Sequence, residues 1–133
     1  MADRLAKLLD FAARYTTAWC SQDASKVAAF YAADGSLTIN DNEPAVGRKA
    51  IADSVQAFMS AFPDLWVAMD GVNWKGEFAE YHWTLTGRNT GHGGKGNRVR
   101  ISGFEVWELG QDGLIRSSKG RFDSGEYRRQ LAL

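Results

Sequence analysis

The chemistry that this sequence could carry centres on one acidic residue, Glu105, in the extended run of residues 97–109. Alternate residues of such a run point to one face of a β-strand. Apart from Glu105, this face is apolar or glycine, which predicts that it points at the core. An ionised carboxylate is costly there unless it is paired, neutral or beside a wet cavity. Glu105 is therefore the first candidate functional residue. The inward face on which it lies is formed by Val99, Ile101, Gly103, Glu105, Trp107 and Leu109.

A second acidic residue, Asp123, closes the run that follows the turn at residues 110–113. The string Asp123-Ser124-Gly125-Glu126 has the D-x-x-E spacing of a capping box, in which the first side chain caps a helix. Two acids near the open end of a curved sheet also suggest a small-molecule pocket. The two uses compete, because a hydrogen bond from the Glu126 backbone N–H lowers the pKa of the carboxyl group and weakens it as a base.

The other polar features form no recognisable site. His82 lies on the strand face opposite Tyr81, which predicts the outer sheet surface, and His92 lies in the glycine-rich tip of residues 91–96, where a solvated side chain is expected. That tip lacks the spacing of a phosphate-binding loop and is not followed by a helix. No His, Asp or Glu pair shows metal-ligand spacing on one face, so we expect no metal site.

Composition limits the partners. Sixteen basic and sixteen acidic residues cancel in a chain of 133, which disfavours nucleic acid and anionic membranes as partners. The single cysteine, Cys20, excludes an internal disulfide, and no apolar run approaches the length of a membrane span. We therefore expect a cytoplasmic protein. Five Trp, seven Phe and four Tyr predict an aromatic interior or an aromatic-lined cavity.

Hydrophobic periodicity predicts the elements that position these residues. Helices are expected from Asp3 to about Cys20, over residues 24–33, and over residues 48–61, where Pro63 ends the third. The Asp34-Gly35 pair is expected to end the second helix. The buried stripe of the first helix is predicted to contain Leu5, Leu8, Leu9, Ala12, Tyr15 or Thr16, and Trp19.

The extended runs alternate with turns and predict antiparallel strands. The element order α-α-β-α-β-β-β-β, with long strands, indicates an α+β protein whose helices pack on one face of the sheet. Residues 41–47 are expected to form a rim loop. The predicted strands cover residues 36–40, 64–74 and 78–90, and the two runs of the final hairpin, the second ending at Phe122-Asp123.

Several local strings occur in a fixed order: Ala13-Arg14-Tyr15, Phe30-Tyr31-Ala32-Ala33-Asp34-Gly35, Gly47-Arg48-Lys49-Ala50-Ile51, Trp83-Thr84-Leu85-Thr86-Gly87, Ser102-Gly103-Phe104-Glu105-Val106, Asp112-Gly113-Leu114-Ile115, Phe122-Asp123 and Arg129-Gln130-Leu131. Together they resemble the nuclear transport factor 2-like superfamily, in particular its SnoaL-like polyketide cyclase and ketosteroid isomerase branches. The resemblance implies one cone-shaped α+β domain over residues 1–133, with a curved antiparallel sheet wrapped around three helices. This scaffold hosts enzymes and catalytically silent relatives alike.

The resemblance implies roles for three residues. In SnoaL-like cyclases an aspartate at the place of Asp123 is the acid/base of a cofactor-free aldol closure. In ketosteroid isomerase an acid at the place of Glu105 stays protonated and donates a hydrogen bond to the forming enolate. A tyrosine at the place of Tyr15 is its second donor. A buried Tyr15–Glu105 hydrogen bond that only fills the core is the structural alternative.

Two departures from the family pattern bear on activity. The isomerase base is an aspartate at the end of the first strand, where this sequence has Ile39 or Asn40, and Asn40 cannot accept a proton at neutral pH. The Glu-His-Trp string that often precedes the terminal aspartate of SnoaL-like proteins is replaced by Ser117-Ser118-Lys119, which removes a histidine proton shuttle. A proton-transfer role therefore falls on Asp123.

The sequence thus predicts an apolar pocket that binds a neutral, ring-sized organic molecule. The expected reaction is cofactor-free proton transfer next to a carbonyl group, and a non-catalytic ligand-binding or dimerisation module is the alternative. The resemblance also implies a homodimer through the His82 face of the sheet. The expected catalytic residues are Asp123, Glu105 and Tyr15, and the expected substrate-binding residues are Trp19, Asn40, Phe58, Phe62, Tyr81, Trp83 and Trp107.

Overall fold

The helices and strands follow the predicted order with two additions: a short strand lies within residues 41–47, which were expected to form a rim loop, and a fourth helix follows the last strand. The structure is a computed structural model that describes residues 2–91 and 93–132, so the expectation for His92 lies outside the described residues. The helices are α1 (Ala2–Cys20), α2 (Ala24–Ala28), α3 (Arg48–Ala61) and α4 (Ser124–Ala132). The strands are β1 (Tyr31–Ile39), β2 (Ala45–Val46), β3 (Trp66–Lys75), β4 (Phe78–Arg88), β5 (Arg98–Leu109) and β6 (Ile115–Phe122).

All six strands belong to one curved sheet in the order β2-β1-β6-β5-β4-β3, which confirms the α+β class. The sheet has two free edges, β2 and β3, and so does not close into a barrel. Strands β3 to β6 pair antiparallel in sequence, as predicted. Strand β1 instead pairs with β6 in parallel, so the prediction of an entirely antiparallel sheet is wrong for this pair of strands. No hairpin turn joins these two strands, and local sequence therefore carries no signal for their direction.

The second helix is shorter than predicted. Asp23 caps it, accepting a hydrogen bond from the Ser25 backbone N–H at 3.1 Å, but the helix ends at Ala28. The Asp34-Gly35 pair, predicted to end the helix, lies inside β1 near a shift in its register with β6. A side chain at position 35 would stand 2.7 Å from the Ile115 carbonyl oxygen, so glycine permits this close approach. Residues 31–33 join β1 instead, so pairing with β6 outweighs their helical pattern.

The buried face of α1 is narrower than predicted. Leu8, Ala12 and Tyr15 are buried, whereas Leu5 and Leu9 are 39% and 43% exposed. The buried side of α1 packs against the sheet at β3. Two of the expected core leucines therefore face away from the sheet.

Aromatic rings fill the core between α1 and the sheet. The rings of Tyr81 and Trp107 stack with centroids 4.8 Å apart. The Tyr15 ring meets them edge-on, at 5.5 Å from Tyr81 and 5.1 Å from Trp107. Edge-to-face and offset-stacked contacts favour particular ring orientations. These contacts hold the Tyr15 hydroxyl group beside β5, where Glu105 lies.

Candidate functional site

The centre of the candidate site is the carboxyl group of Glu105, which is 7% exposed. Its Oε1 atom accepts hydrogen bonds from the Tyr15 hydroxyl at 3.0 Å, the Trp107 indole N–H at 2.8 Å and the Ser118 hydroxyl at 2.7 Å. Its Oε2 atom receives only a longer contact of 3.3 Å from the Tyr15 hydroxyl among the described residues. We call these four residues the Glu105 network.

Three elements supply the network. Strand alternation places Glu105 and Trp107 on the same inward face of β5, as predicted. Ser118 projects inward from the middle of β6, beside Trp107 in the strand register, and Tyr15 comes from α1. The Tyr31 hydroxyl lies 2.9 Å from that of Tyr15. Because Tyr15 donates its proton to Glu105, Tyr31 is the donor in this second hydrogen bond.

The environment of Glu105 acts on its pKa in two directions. Burial raises the pKa of the carboxyl group above its ordinary value of 4.5, because burial penalises the charged form. The hydrogen bonds from Trp107, Ser118 and Tyr15 act in the opposite direction, since they stabilise the carboxylate. Burial, and then the nearby charge of Glu105, also raise the pKa of Tyr15 and Tyr31, so both phenols remain protonated donors.

Glu105 also lines a cavity of about 60 Å³ between the sheet, α1, α3 and α4. Aromatic and aliphatic side chains form most of its wall, and Glu105 is the only carboxylic acid among the lining residues. Such a wall suits an apolar molecule that carries one polar group. The lining residues are Trp19, Leu37, Ile39, Phe58, Val67, Tyr81, Trp83, Leu85, Ile101, Glu105, Gly120, Phe122 and Tyr127.

The structure brings half of the predicted site residues to this cavity. Of the residues expected to bind substrate, Trp19, Phe58, Tyr81 and Trp83 line it. Phe62, Trp107 and Asn40 do not: Phe62 and Trp107 are fully buried in the core. Asn40 joins the ends of β1 and β6, because its side-chain oxygen accepts the Phe122 backbone N–H at 3.0 Å. Tyr15 lies behind Glu105 rather than on the cavity wall.

Asp123 lies apart from the Glu105 network and does not line the cavity. It is exposed, and its carboxylate accepts the Glu126 backbone N–H at 3.0 Å, at the N-terminus of α4. Its position therefore matches the capping pattern. The carboxylate is engaged with backbone at the surface rather than aimed at a ligand site.

Several residues of the site were not predicted from the sequence, among them Ser118, Tyr31, Phe122 and Tyr127. In the sequence, Ser118 stands out only as part of the string that replaces the Glu-His-Trp motif of the family, although it occupies an inward position of β6. Tyr31 was placed in a helix that ends three residues earlier. Phe122 and Tyr127 pack with ring centroids 5.4 Å apart and form one wall of the cavity. Alternation along β6 could have indicated Ser118, whereas the position of Tyr127 depends on how α4 folds back.

The prediction for His82 concerns the outer face of the sheet. His82 is exposed there, as predicted, and its Nε2 atom lies 2.8 Å from the Glu80 carboxylate. Within residues 2–91 and 93–132, no group of three or more His, Cys, Asp or Glu side chains is placed to hold a metal ion. In the same part of the chain, no helix is both long and apolar enough to cross a membrane.

The fold and the site together define an α+β protein of the nuclear transport factor 2-like type, with a buried acid beside an apolar cavity. The model of the SnoaL-like domain family matches residues 12–118. The chain therefore belongs to the SnoaL-like family. A search of curated proteins found no match.

Solved structures with this fold share little sequence with the chain. A protein from Jannaschia sp. CCS1, assigned as a SnoaL-like polyketide cyclase, has a TM-score of 0.82 at 15% identity, covering 96% of this chain and 92% of that one. A ketosteroid isomerase-like protein from Catenulispora acidiphila, solved with trimethylamine, has a TM-score of 0.80 at 14% identity, covering 92% of each chain. An NTF2-like protein from Burkholderia pseudomallei has a TM-score of 0.80 at 16% identity, covering 96% and 98%. These likenesses concern the fold alone.

The raised pKa of Glu105 predicts a pH-dependent loss of stability. The folded carboxyl group keeps its proton at pH values where the unfolded group has lost it, so this contribution is complete below pH 4.5 and disappears as pH rises through the folded pKa. Glu105→Gln removes the titration. Urea unfolding, followed from below pH 4.5 to neutral pH, should show the wild type losing free energy of unfolding relative to Glu105→Gln as pH rises.

A matched control is Glu126→Gln. Hydrogen bonds from Arg129 and Gln130 lower the pKa of Glu126 to about 2, so its contribution is present above pH 4.5 and is lost only in acid. The Glu126→Gln difference should therefore stay constant over the range in which the Glu105→Gln difference changes. A constant Glu105→Gln difference over this range would contradict the raised pKa.

Proposed function

We propose that the protein binds a small, mostly apolar carbonyl compound in this cavity and that Glu105 moves a proton at the carbon next to the carbonyl group, without a cofactor. The observation that carries the proposal is a buried carboxyl group of raised pKa on the wall of an aromatic cavity. Membership of the SnoaL-like family and a structural neighbour assigned as a polyketide cyclase support the reaction class.

Glu105 is suited to act as a base because its surroundings act on its pKa in opposite directions, with burial as the larger effect. Burial makes the carboxylate bind a proton more strongly than an exposed glutamate does. The donors on Oε1 act against this, because they bond to the charged form and stabilise it. Since Oε2 receives only the 3.3 Å contact from Tyr15, we assign the transferred proton to Oε2.

In the proposed step, Oε2 takes a proton from the carbon next to the carbonyl group. The C–H electron pair becomes the C=C bond of an enolate, and the π electrons of the carbonyl group move to its oxygen. Glu105, now neutral, either exchanges its proton with water and returns a solvent hydrogen to the same carbon, or returns the proton to a conjugated carbon, which isomerises the molecule. The step needs no electron acceptor and releases no leaving group.

The other two residues predicted to be catalytic take different roles in this proposal. Tyr15 holds Glu105 from α1 and is a positioning residue, because it lies behind the carboxyl group and does not line the cavity. Asp123 caps α4, since its carboxylate already accepts a backbone hydrogen bond at the exposed surface. Proton transfer, which the family resemblance assigned to Asp123, therefore falls to Glu105.

The cavity volume limits the ligand. At about 60 Å³ it is smaller than the cavity of about 150 Å³ that accepts benzene in an engineered protein. A molecule of a few carbons fits with little change, a single small ring such as cyclopentanone requires a slight outward movement of side chains, and a larger ring system requires more. The side chains that can move outward are half-buried ones of the wall: Ile39, Phe58, Phe122 and Tyr127. We therefore expect small ketones to be accepted first.

Hydrogen exchange tests this proposal without knowledge of the natural substrate. The protein should accelerate the replacement of hydrogen by deuterium next to the carbonyl group of cyclopentanone in D₂O, as followed by NMR. Glu105→Gln should lower the enzyme-dependent rate by about 100-fold or more, which is the usual contribution of a general base. Asp123→Asn should retain most of the rate, because the cap lies outside the cavity.

The wild-type exchange rate should rise with pH through the pKa of Glu105, because only the ionised carboxylate accepts the proton. Equal rates in the wild type and Glu105→Gln would refute Glu105 as the base. Loss of exchange in Asp123→Asn, with Glu105→Gln active, would return the role to Asp123.

Non-catalytic binding of a small ligand is the second candidate. The specific observation in its favour is that the cavity wall contains one carboxyl group and no second acid or base beside it other than two tyrosines. A carboxylate among aromatic rings also suits a small alkylammonium ion, and the Catenulispora neighbour was solved with trimethylamine. Binding of cyclopentanone or trimethylamine without any hydrogen exchange would favour this candidate.

We also propose that the protein forms a homodimer through the outer face of the sheet. Trp66 is 61% exposed on that face, and His82 and Phe104 lie side by side there with ring centroids 5.7 Å apart. Exposed aromatic side chains on a sheet face are typical of an interface.

Sedimentation equilibrium should therefore give the mass of a dimer for the wild type. Trp66→Lys should shift the equilibrium to the monomer, because it places a charge in the interface. Val46→Lys is the control, since Val46 is 64% exposed on the edge strand β2. A monomeric wild type at high micromolar concentration would refute the dimer.

A further inference from the structure

The indole N–H of Trp83 stands out because it is buried and has no hydrogen-bond partner among the described residues. It is the one buried side-chain nitrogen or oxygen in residues 2–91 and 93–132 for which this holds. Two other indole groups are satisfied by the protein: Trp107 donates to Glu105, and Trp74 donates to the Arg4 carbonyl oxygen. A buried donor without a partner destabilises the fold, so a native protein rarely keeps one without use.

Packing holds Trp83 in place on the cavity wall. Its ring meets the Phe122 ring nearly edge-on, with centroids 6.0 Å apart. The indole also crosses Gly103, where an added Cβ atom would stand 2.5 Å from Cζ2 of Trp83. The slot for the indole therefore requires glycine at position 103. The donor is fixed in position rather than free to find a partner elsewhere.

Strand register places Trp83 close to Glu105. Tyr81 is paired with Glu105 and Trp83 with Gly103, so Trp83 and Glu105 are diagonal neighbours on the inward face of β4 and β5. Diagonal neighbours across antiparallel strands lie about 7–8 Å apart, which long and aromatic side chains can bridge. Both residues line the same cavity, so a small molecule can contact both.

We propose that Trp83 is the specificity-determining residue of the cavity and that its indole N–H donates a hydrogen bond to the oxygen atom of the ligand. The favoured ligands are then small molecules with a carbonyl oxygen, which the indole N–H binds while Glu105 faces the neighbouring carbon. The same donor stabilises the negative charge that develops on this oxygen in an enolate. This inference rests on the proposed function only in that the cavity must bind a carbonyl compound.

A matched pair of ligands tests the inference. Cyclopentanone carries the acceptor oxygen, and methylenecyclopentane has the same shape without it. In ¹⁵N-labelled protein the indole proton resonance of Trp83, assigned by its absence from Trp83→Phe, should move downfield on titration with the ketone and not with the hydrocarbon. Trp83→Phe should weaken ketone binding about fivefold relative to hydrocarbon binding, which corresponds to one ordinary hydrogen bond.

Trp74→Phe is the control, because it also removes an indole N–H but one that donates to the protein backbone. It should change the affinity for neither ligand. Three results would overturn the inference: ketone binding without a shift of the Trp83 resonance, equal losses for both ligands in Trp83→Phe, or no ketone binding up to its solubility limit. Equal losses would mean that Trp83 serves only as an apolar wall packed on Phe122.

The test separates this inference from the proposed proton transfer. If the ketone binds through Trp83 but exchanges no hydrogen, the catalytic role of Glu105 fails and the role of Trp83 stands. If exchange depends on Glu105 while Trp83→Phe leaves both the affinity for the ketone and the exchange rate unchanged, the role of Trp83 fails and the proposed function stands.

Discussion

The burial of one carboxyl group constrains much of this structure. Glu105 reaches the interior only because donors from α1, β5 and β6 meet on one of its oxygens. A one-residue slip of β5 would turn Glu105 to solvent and leave the Tyr15 and Ser118 hydroxyl groups without their partner. The docking of α1 and the register of the β5–β6 pair are thus tied to the same interaction. The interaction that fixes these elements leaves Oε2 with a longer hydrogen bond of 3.3 Å from Tyr15.

Much of this arrangement follows from local sequence. The alternation of β5 separates inward from outward residues, and it identifies Glu105 as the exception on an apolar face. The same reasoning places Tyr81 and Trp83 inward and His82 outward on β4. The capping pattern at Asp123 is equally local, because the acceptor and the N–H it binds are three residues apart. Features of this kind can be predicted from the two-residue period of a strand or from the residue spacing of a helix cap.

The features that the sequence did not reveal depend on contacts between distant segments. The helical pattern of residues 24–33 predicts a helix at Tyr31, yet residues 31–33 belong to strand β1, which pairs with β6. Ser118 becomes a donor to Glu105 only once β6 lies beside β5 in the observed register. The unpaired indole N–H of Trp83 is visible only when every neighbouring acceptor has been placed. Local propensity carries no information about such partners.

The central claim is that the pKa of the Glu105 carboxyl group is raised in the folded protein. An NMR titration of its side-chain carboxyl carbon tests this most directly. We expect a pKa above the ordinary value of 4.5, because burial outweighs the three donors. We also expect Tyr15→Phe to raise the pKa further, because it removes a donor that stabilises the carboxylate. A carboxyl group that titrates at or below 4.5 in the folded protein would contradict the account.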